Sequence, residues 1–267
     1  MKDPLILVTN DDGITSRGLW AAVEALLTLG EVVVVAPDQQ WSGAGRSMPP
    51  SVTGAVSETG REVNGTWVEA YAVDATPALA VVHGLLEFAP RWPDVVVSGI
   101  NYGENVSIEV TASGTVGAAL EAAAEGIPAL SISLAVPIAY HHTGHDATNF
   151  QVAAHFARHF TRRLLADALP YDTGVLNVNV PESATKETPW RLTRLSRHRY
   201  FLPLMPDRDA GVGRPGYKIM DDPAGTEPDS DVWTLAVDGL VSVTPLSLDL
   251  TARSDFGALA ERLHGEL

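Results

Sequence analysis

With 267 residues, 45% hydrophobic and 19% charged, the chain is long enough to bury one large core and has the balance of a folded α/β protein. A net charge of −15 argues against a basic surface holding a nucleic acid polymer, and the absence of cysteine excludes disulfides and thiolate chemistry. The start, Met-Lys-Asp-Pro, runs directly into an apolar strand and no apolar run approaches the length of a membrane span, so the expectation is a soluble, cytoplasmic protein without a signal peptide or membrane contact.

The first element sets the pattern. Leu5-Ile6-Leu7-Val8 reads as a short buried strand, Asn10-Asp11-Asp12-Gly13 breaks it, and an apolar-periodic helix follows from Leu19 to Leu29. Strand, polar turn and helix open a βαβ unit, whose ligands sit beyond the carboxyl ends of parallel strands. Two adjacent carboxylates repel there, and a hard divalent cation with a preference for oxygen ligands would offset their charge. Asp-Asp-Gly also fits a plain turn with a helix cap, and these residues alone leave both readings open.

Glu31-Val32-Val33-Val34-Val35-Ala36 is too continuously apolar for a half-exposed strand and ends in a polar, glycine-bearing loop over 37–47. Residues 49–73 read as a hairpin excursion. Thr76 caps a helix with Pro77 in its first position. Pro93 to Asn101 forms a third buried strand, 102–114 a polar loop, 115–125 an alanine-rich helix stopped by Gly126 and Pro128, and Ala129 to Leu134 a fourth strand. A helix from about Asp146 to Leu169 and a strand from Val175 to Val180 complete the alternation.

This order predicts an α/β fold: a Rossmann-like, three-layer parallel sheet over 1–180. Beyond Pro181 the pattern changes. Trp190 to Phe201 reads as a strand, 203–231 has no periodicity, Asp231 to Val243 reads as a hairpin or two short strands, and Ser254 to Leu263 as a helix. The expected organisation is a core over 1–180, a β-rich arm over 181–250 involved in oligomerisation, and a C-terminal helix within 251–267.

Three strands end in oxygen-bearing residues: Asp11 and Asp12, then Asp38 with Ser42, then Asn101. Sharing one sheet edge, they form an incomplete oxygen shell that suits Mg²⁺ or Mn²⁺ better than zinc. Ser113-Gly114-Thr115 opens a helix, where free N–H groups and the macrodipole favour anions. A metal and an anion site on one edge point to phosphoryl chemistry.

Asn10-Asp11-Asp12-Gly13, the Ala36-Pro37-Asp38 to Ser42-Gly43-Ala44 loop, Pro93 to Asn101 and Ser113-Gly114-Thr115-Val116 together resemble the SurE (survival protein) family, and Val178-Asn179-Val180-Pro181 and Val241 to Leu246 extend the match. The resemblance implies a metal-dependent phosphatase acting on nucleoside 5′-monophosphates, with 3′-monophosphates and short polyphosphate as further candidates. It implies one divalent ion per subunit held by Asp11, Asp12, Ser42 and Asn101, phosphate contacts from Asn105, Ser113, Gly114 and Thr115, and a homodimer or homotetramer. Asp11 and Asp12 are the candidate catalytic pair: one helps deprotonate an attacking water, or Asp11 itself attacks. Asp38 then stands behind the ligands.

The chain departs from the family between Asn105 and Ser113, where a glycine and a tyrosine are commonly found and Val106-Ser107-Ile108-Glu109-Val110-Thr111-Ala112 stands instead. That bears on substrate preference more than on metal binding. Other clusters have plainer readings. His141 to His145 is expected to be a surface loop rather than a metal site, and Arg191, Arg194, Arg197, His198 and Arg199 a solvated or intersubunit salt-linked strand rather than a nucleotide-phosphate contact. Trp41 is a candidate either for stacking on a base or for covering the core. The competing function, a non-catalytic nucleotide-binding module of Rossmann type, is disfavoured because the first turn lacks G-x-G-x-x-G and its acidic pair would repel a pyrophosphate.

Overall fold

The computed structural model describes residues 3–141, 147–209, 211–213 and 215–264. The first strand, β1 (Leu5–Thr9), is buried throughout because its alternate side chains enter two different cores. Ile6 and Val8 pack against helices α1 (Arg17–Leu26) and α4 (Gln151–Ala166); Leu5 and Leu7 pack against α2 (Pro77–His83) and α3 (Gly114–Ala124). Period-two alternation with both faces apolar is what a parallel strand covered by helices on each side requires. β2 (Glu31–Pro37) repeats the device, with Val32, Val34 and Ala36 on one side and Val33 and Val35 on the other.

Numbering the remaining strands β3 (Val56–Glu58), β4 (Arg61–Val63), β5 (Thr66–Val73), β6 (Val95–Tyr102), β7 (Ala129–Leu134), β8 (Val175–Val180), β9 (Trp190–Leu192), β10 (Phe201–Leu204), β11 (Gly216–Ile219) and β12 (Val241–Leu246), the main sheet runs β3-β5-β2-β1-β6-β7-β8-β12-β9, with β4 paired to β5. β5, β2, β1, β6, β7 and β8 are parallel, whereas β12 runs antiparallel to β8. The chain leaves β1 in one direction to reach β2 and in the other to reach β6. The edge between β1 and β6 is therefore the switch point at which open α/β sheets bind ligands.

The three-layer α/β fold expected from the sequence is present, including the Thr76 cap, whose hydroxyl accepts from the Leu79 N–H at 3.4 Å. The region after 181 is built differently from its pattern. Trp190 to Phe201 is not one strand: β9 ends at Leu192, and the chain then bends so that Ser196 can donate its N–H to Asp231 at 2.9 Å. Asp231 to Val243 is a turn of helix, Trp233–Val237, followed by β12 alone. Val232 and Leu235 sit three apart and are both buried, and the Ser230 hydroxyl accepts from the Trp233 N–H at 3.1 Å, so helical spacing and a cap prevail over strand propensity. β9 and β12 extend the main sheet, whereas β10 and β11 pair only with each other. A small cluster of Val106, Tyr200, Val232 and Leu235 fastens this region to the loop after β6. α4 begins at Gln151, later than expected, with the Asn149 side chain accepting from the Gln151 N–H at 2.9 Å.

Candidate functional site

The turn after β1 is shaped by Asn10, whose side-chain amide donates to the Gly13 carbonyl at 3.0 Å and whose carbonyl accepts the Gly13 N–H at 3.2 Å. This closed turn holds the two carboxylates out from the strand end. Asp11 faces inward, 4% exposed, and the Thr115 hydroxyl donates to its Oδ1 at 2.5 Å. The backbone N–H groups of Gly114 and Thr115 also bond to Asp11. Glycine is required at 114 because a Cβ there would stand 2.7 Å from the Asp11 Cβ. The start of α3 thus points its free N–H groups at a carboxylate of the same chain, a favourable arrangement for a helix N-terminus.

Asp12 turns toward the neighbouring strand. Its Oδ2 accepts the Tyr102 N–H at 3.2 Å and its Oδ1 accepts from the Gln40 amide at 3.1 Å. Asn101, just before that N–H, donates its side-chain amide to the Gly103 carbonyl at 2.6 Å. The Ser42 loop is tied to the same place from two directions, by the Trp41 N–H donating to the Asp11 carbonyl at 2.7 Å and by the Gly45 N–H donating to the Ala112 carbonyl at 3.0 Å. Ser113 caps α3, its hydroxyl accepting from the Val116 N–H at 3.1 Å.

Asp11, Ser42, Asn101, Asn105 and Ser113 line one cleft of ≈ 340 Å³ at the switch point. Gly114, Thr115 and Asp12 stand immediately behind them through the contacts above. All eight residues singled out from the sequence are brought together. Asp38 is not: it is exposed at the end of β2. Trp41 is half-buried and does not line the cleft. His141 is buried, and His142 and His145 lie outside the described residues. Of Arg191, Arg194, Arg197 and Arg199, three are salt-linked within the chain rather than between subunits: Arg191 to Asp238 at 2.5 Å, Arg194 to Asp229 at 2.5 Å and Arg199 to Glu109 at 3.1 Å.

Sequence reasoning missed the residues that set Asn105. Its backbone N–H donates to Asn179 Oδ1 at 2.7 Å, and its carbonyl accepts from the side-chain amides of Asn177 and Asn179 at 2.8 and 3.0 Å. Its own amide donates to the Ser133 hydroxyl at 2.9 Å. Alternate asparagines within an apolar strand were the available signal, since buried amides need partners.

Among the described residues, Arg199 is the one arginine or lysine that lines the cleft, and it is paired with Glu109. Burial pushes the Asp11 carboxyl up, and burial reinforced by the Asp11 charge pushes Asp12 up. Among the described residues no three of His, Cys, Asp and Glu cluster as a metal site. A cation here would therefore rest on two carboxylates completed by neutral oxygens, a donor set that fits a hard divalent ion and not zinc.

The family model for survival protein SurE matches residues 6–201. The chain belongs to the SurE family. It is 43% identical over 262 residues to a 5′-nucleotidase SurE of Thermococcus gammatolerans, covering 98% of this chain and 96% of that protein. It is 44% identical over 255 residues to the 5′-nucleotidase SurE of Thermococcus kodakarensis, covering 94% of this chain and 95% of that one. The crystal structure of the SurE protein from Aquifex aeolicus superimposes with a TM-score of 0.72 at 32% identity, covering 98% of this chain and all of that one. Among the described residues, no helix is long and apolar enough to cross a membrane.

Proposed function

We propose that this SurE-family chain is a phosphomonoesterase that releases phosphate from nucleoside 5′-monophosphates with the help of one Mg²⁺ or Mn²⁺ per subunit. The observation that carries the reading is the meeting of Asp11, Ser42, Asn101, Asn105 and Ser113 on one cleft wall, with Asp12 directly behind. The names of the Thermococcus relatives supply the nucleotide as substrate class.

In this reading Asp11 and Asp12 hold the cation, with the neutral oxygens of Ser42 and Asn101 as further ligands. A divalent ion held there would offset the paired negative charge and supply Lewis-acid polarisation of the phosphate. Asp11 is the carboxylate that faces the cleft, and it takes the proton of the attacking water on a carboxylate oxygen. Thr115 and the Gly114 N–H fix its orientation throughout. Ser113, Asn105 and the start of α3 around Gly114 and Thr115 neutralise the phosphate oxygens as charge shifts onto them. Asn177 and Asn179 keep Asn105 in register, so the phosphate end needs no movement of its ligands at the moment of reaction.

Assembly belongs to the same proposal: a homodimer or homotetramer, in the cytoplasm, through the 181–250 region and the C-terminal helix. Trp190, Leu192 and Leu250 are exposed, and α5 (Phe256–His264) presents Phe256, Leu259 and Leu263 to solvent. Apolar surface of this kind favours association. Exchange of the arm between subunits would keep its contacts and change only which chain supplies them. Phosphate release from a panel of 5′- and 3′-nucleotides, a short polyphosphate and an aryl phosphate, with Mn²⁺, Mg²⁺ or chelator, tests the activity. Metal-stimulated release supports it; nucleotide binding without release in either metal favours the non-catalytic module.

A further inference from the structure

One face of α3 touches both of the loops that carry the proposed cation ligands Asp11 and Ser42. Gly114, Gly117 and Glu121 stand at positions i, i+3 and i+7 of the helix and so share a face. Gly114 packs on the Asp11 side chain. One turn along, Gly117 lies against the backbone of the Ser42 loop: a Cβ there would stand 2.2 Å from the Gly45 carbonyl oxygen and 2.7 Å from the Arg46 nitrogen. Any side chain at 117 would lift the loop off the helix. A further turn along, Glu121 accepts from Arg46 Nε at 2.6 Å.

The Arg46–Glu121 pair differs from an exposed ion pair. The Glu121 side chain is 6% exposed, on a helix whose other buried residues are glycine, alanine, valine and threonine. A carboxylate buried in such company needs a partner to offset its charge, and Arg46 supplies it. Between Ser42 and Arg46 the chain passes through Gly43 and Gly45, with φ of +81° and +57°. Glycines give that stretch little stiffness of its own, so its place depends on what it is fastened to. Ser47 is fastened too, its carbonyl accepting from the Thr76 hydroxyl at 2.7 Å. Ser42 is therefore held from behind by the Trp41 N–H on the Asp11 carbonyl, and from ahead by α3 and the cap of α2.

We propose that Arg46 and Glu121 are a positioning pair for the cation site: by fastening the Ser42 loop to the helix that also holds Asp11, they set the distance between the Ser42 hydroxyl and the Asp11 carboxylate. α3 is the rigid spacer, its first turn fixing one ligand and its later turns the other. This rests on the assignment of Asp11 and Ser42 to the cation. Neither Arg46 nor Glu121 lines the cleft, so neither touches cation or substrate. Loss of the pair leaves every ligand present but lets the Ser42 hydroxyl wander, which weakens cation binding more than it slows turnover once the cation is bound.

The test is the Mn²⁺ dissociation constant of the full chain, read from the electron paramagnetic resonance signal of free Mn²⁺. It is measured for the wild type, Arg46→Met, Arg46→Lys, Glu121→Met, Ser42→Ala and the double variant Ser42→Ala with Arg46→Met. The dissociation constant, unlike the number of sites, does not depend on how much of a variant is folded. Arg46→Met and Glu121→Met are each expected to raise it roughly 10- to 100-fold, as loss of a residue standing behind a metal ligand implies. Arg46→Lys, which keeps a cation for Glu121, is expected to recover part of the loss. Without the Ser42 hydroxyl, Arg46→Met is expected to add almost nothing, because the group it positions is gone. An unchanged constant in both methionine variants, or a full Arg46 effect in the Ser42→Ala background, overturns the positioning pair and leaves the cation site standing. A Ser42→Ala constant equal to that of the wild type, or no Mn²⁺ bound by the wild type, overturns the ligand assignment and the pair with it.

Discussion

The Thr115 hydroxyl donates to Asp11 Oδ1 at 2.5 Å across 104 positions of sequence. It joins the helix start expected to bind phosphate to the carboxylate expected to bind metal. Thr115→Val keeps the shape and removes this donor, which for a charged acceptor is worth about 1.5–3 kcal/mol. The expected result is a loss of roughly 10- to 100-fold in kcat/KM, together with weaker Mn²⁺ binding, because the Asp11 anion loses support. Thr115→Ser should restore both. A change in melting temperature alone would reduce Thr115 to a structural contact.

Asp12→Asn removes one of two negative ligands while keeping an acceptor for the Tyr102 N–H and a side chain that reaches Gln40. Turnover should fall by several orders of magnitude with the fold intact by circular dichroism. Wild-type activity at saturating Mn²⁺ would refute the assignment of Asp12 to the cation.

Asp231 gives a pH dependence separate from the site. Its carboxylate accepts N–H groups from Ser107, Ser196 and Val232 at 2.7, 2.9 and 2.8 Å. Burial nevertheless pushes it up to about 6. A folded-state value above the unfolded one means that the folded protein holds its proton more tightly. The associated stability is full below about 4 and lost as pH rises through about 6. Asp231→Asn cannot titrate. In urea unfolding the wild type should therefore lose up to about 3 kcal/mol relative to this variant between pH 4 and pH 7. A difference that moves the other way would mean that the three N–H donors outweigh burial.

Replacing 203–230 with a short Gly/Ser loop removes β11, the second half of β10 and the segment leading to Asp231. If the arm makes the subunit contact, light scattering should find a dimer or tetramer for the full chain and a smaller species for the replacement. The same mass for both at micromolar concentration would place the contact elsewhere.

What could be read in the sequence follows from how each feature is encoded. β1, β2, β6, β7 and the turns that end them are local patterns, so Asp11, Asp12, Ser42, Asn101 and Ser113 could be gathered on one edge from topology alone. Asn177, Asn179 and Asp231 could not, because their importance lies in pairing with Asn105, Ser107 and Ser196, which are distant in the chain. Trp233–Val237 was obscured because aromatic and β-branched residues suggest a strand, while burial of Val232 and Leu235 and the Ser230 cap select a helical turn. The aromatic side of the cleft was invisible for a further reason. Trp41 stands beside Ser42 in sequence, whereas His141, Phe201 and Tyr217 meet only after the hairpin folds over the sheet edge.

The most direct test of the cation site is a crystal of the full chain grown with Mn²⁺ and adenosine, with data collected at the manganese absorption edge. The account predicts one anomalous peak per subunit within about 2.5 Å of oxygens from Asp11, Asp12 and Asn101, with Ser42 beside it. A peak at any other set of ligands, or none at millimolar Mn²⁺, would contradict it.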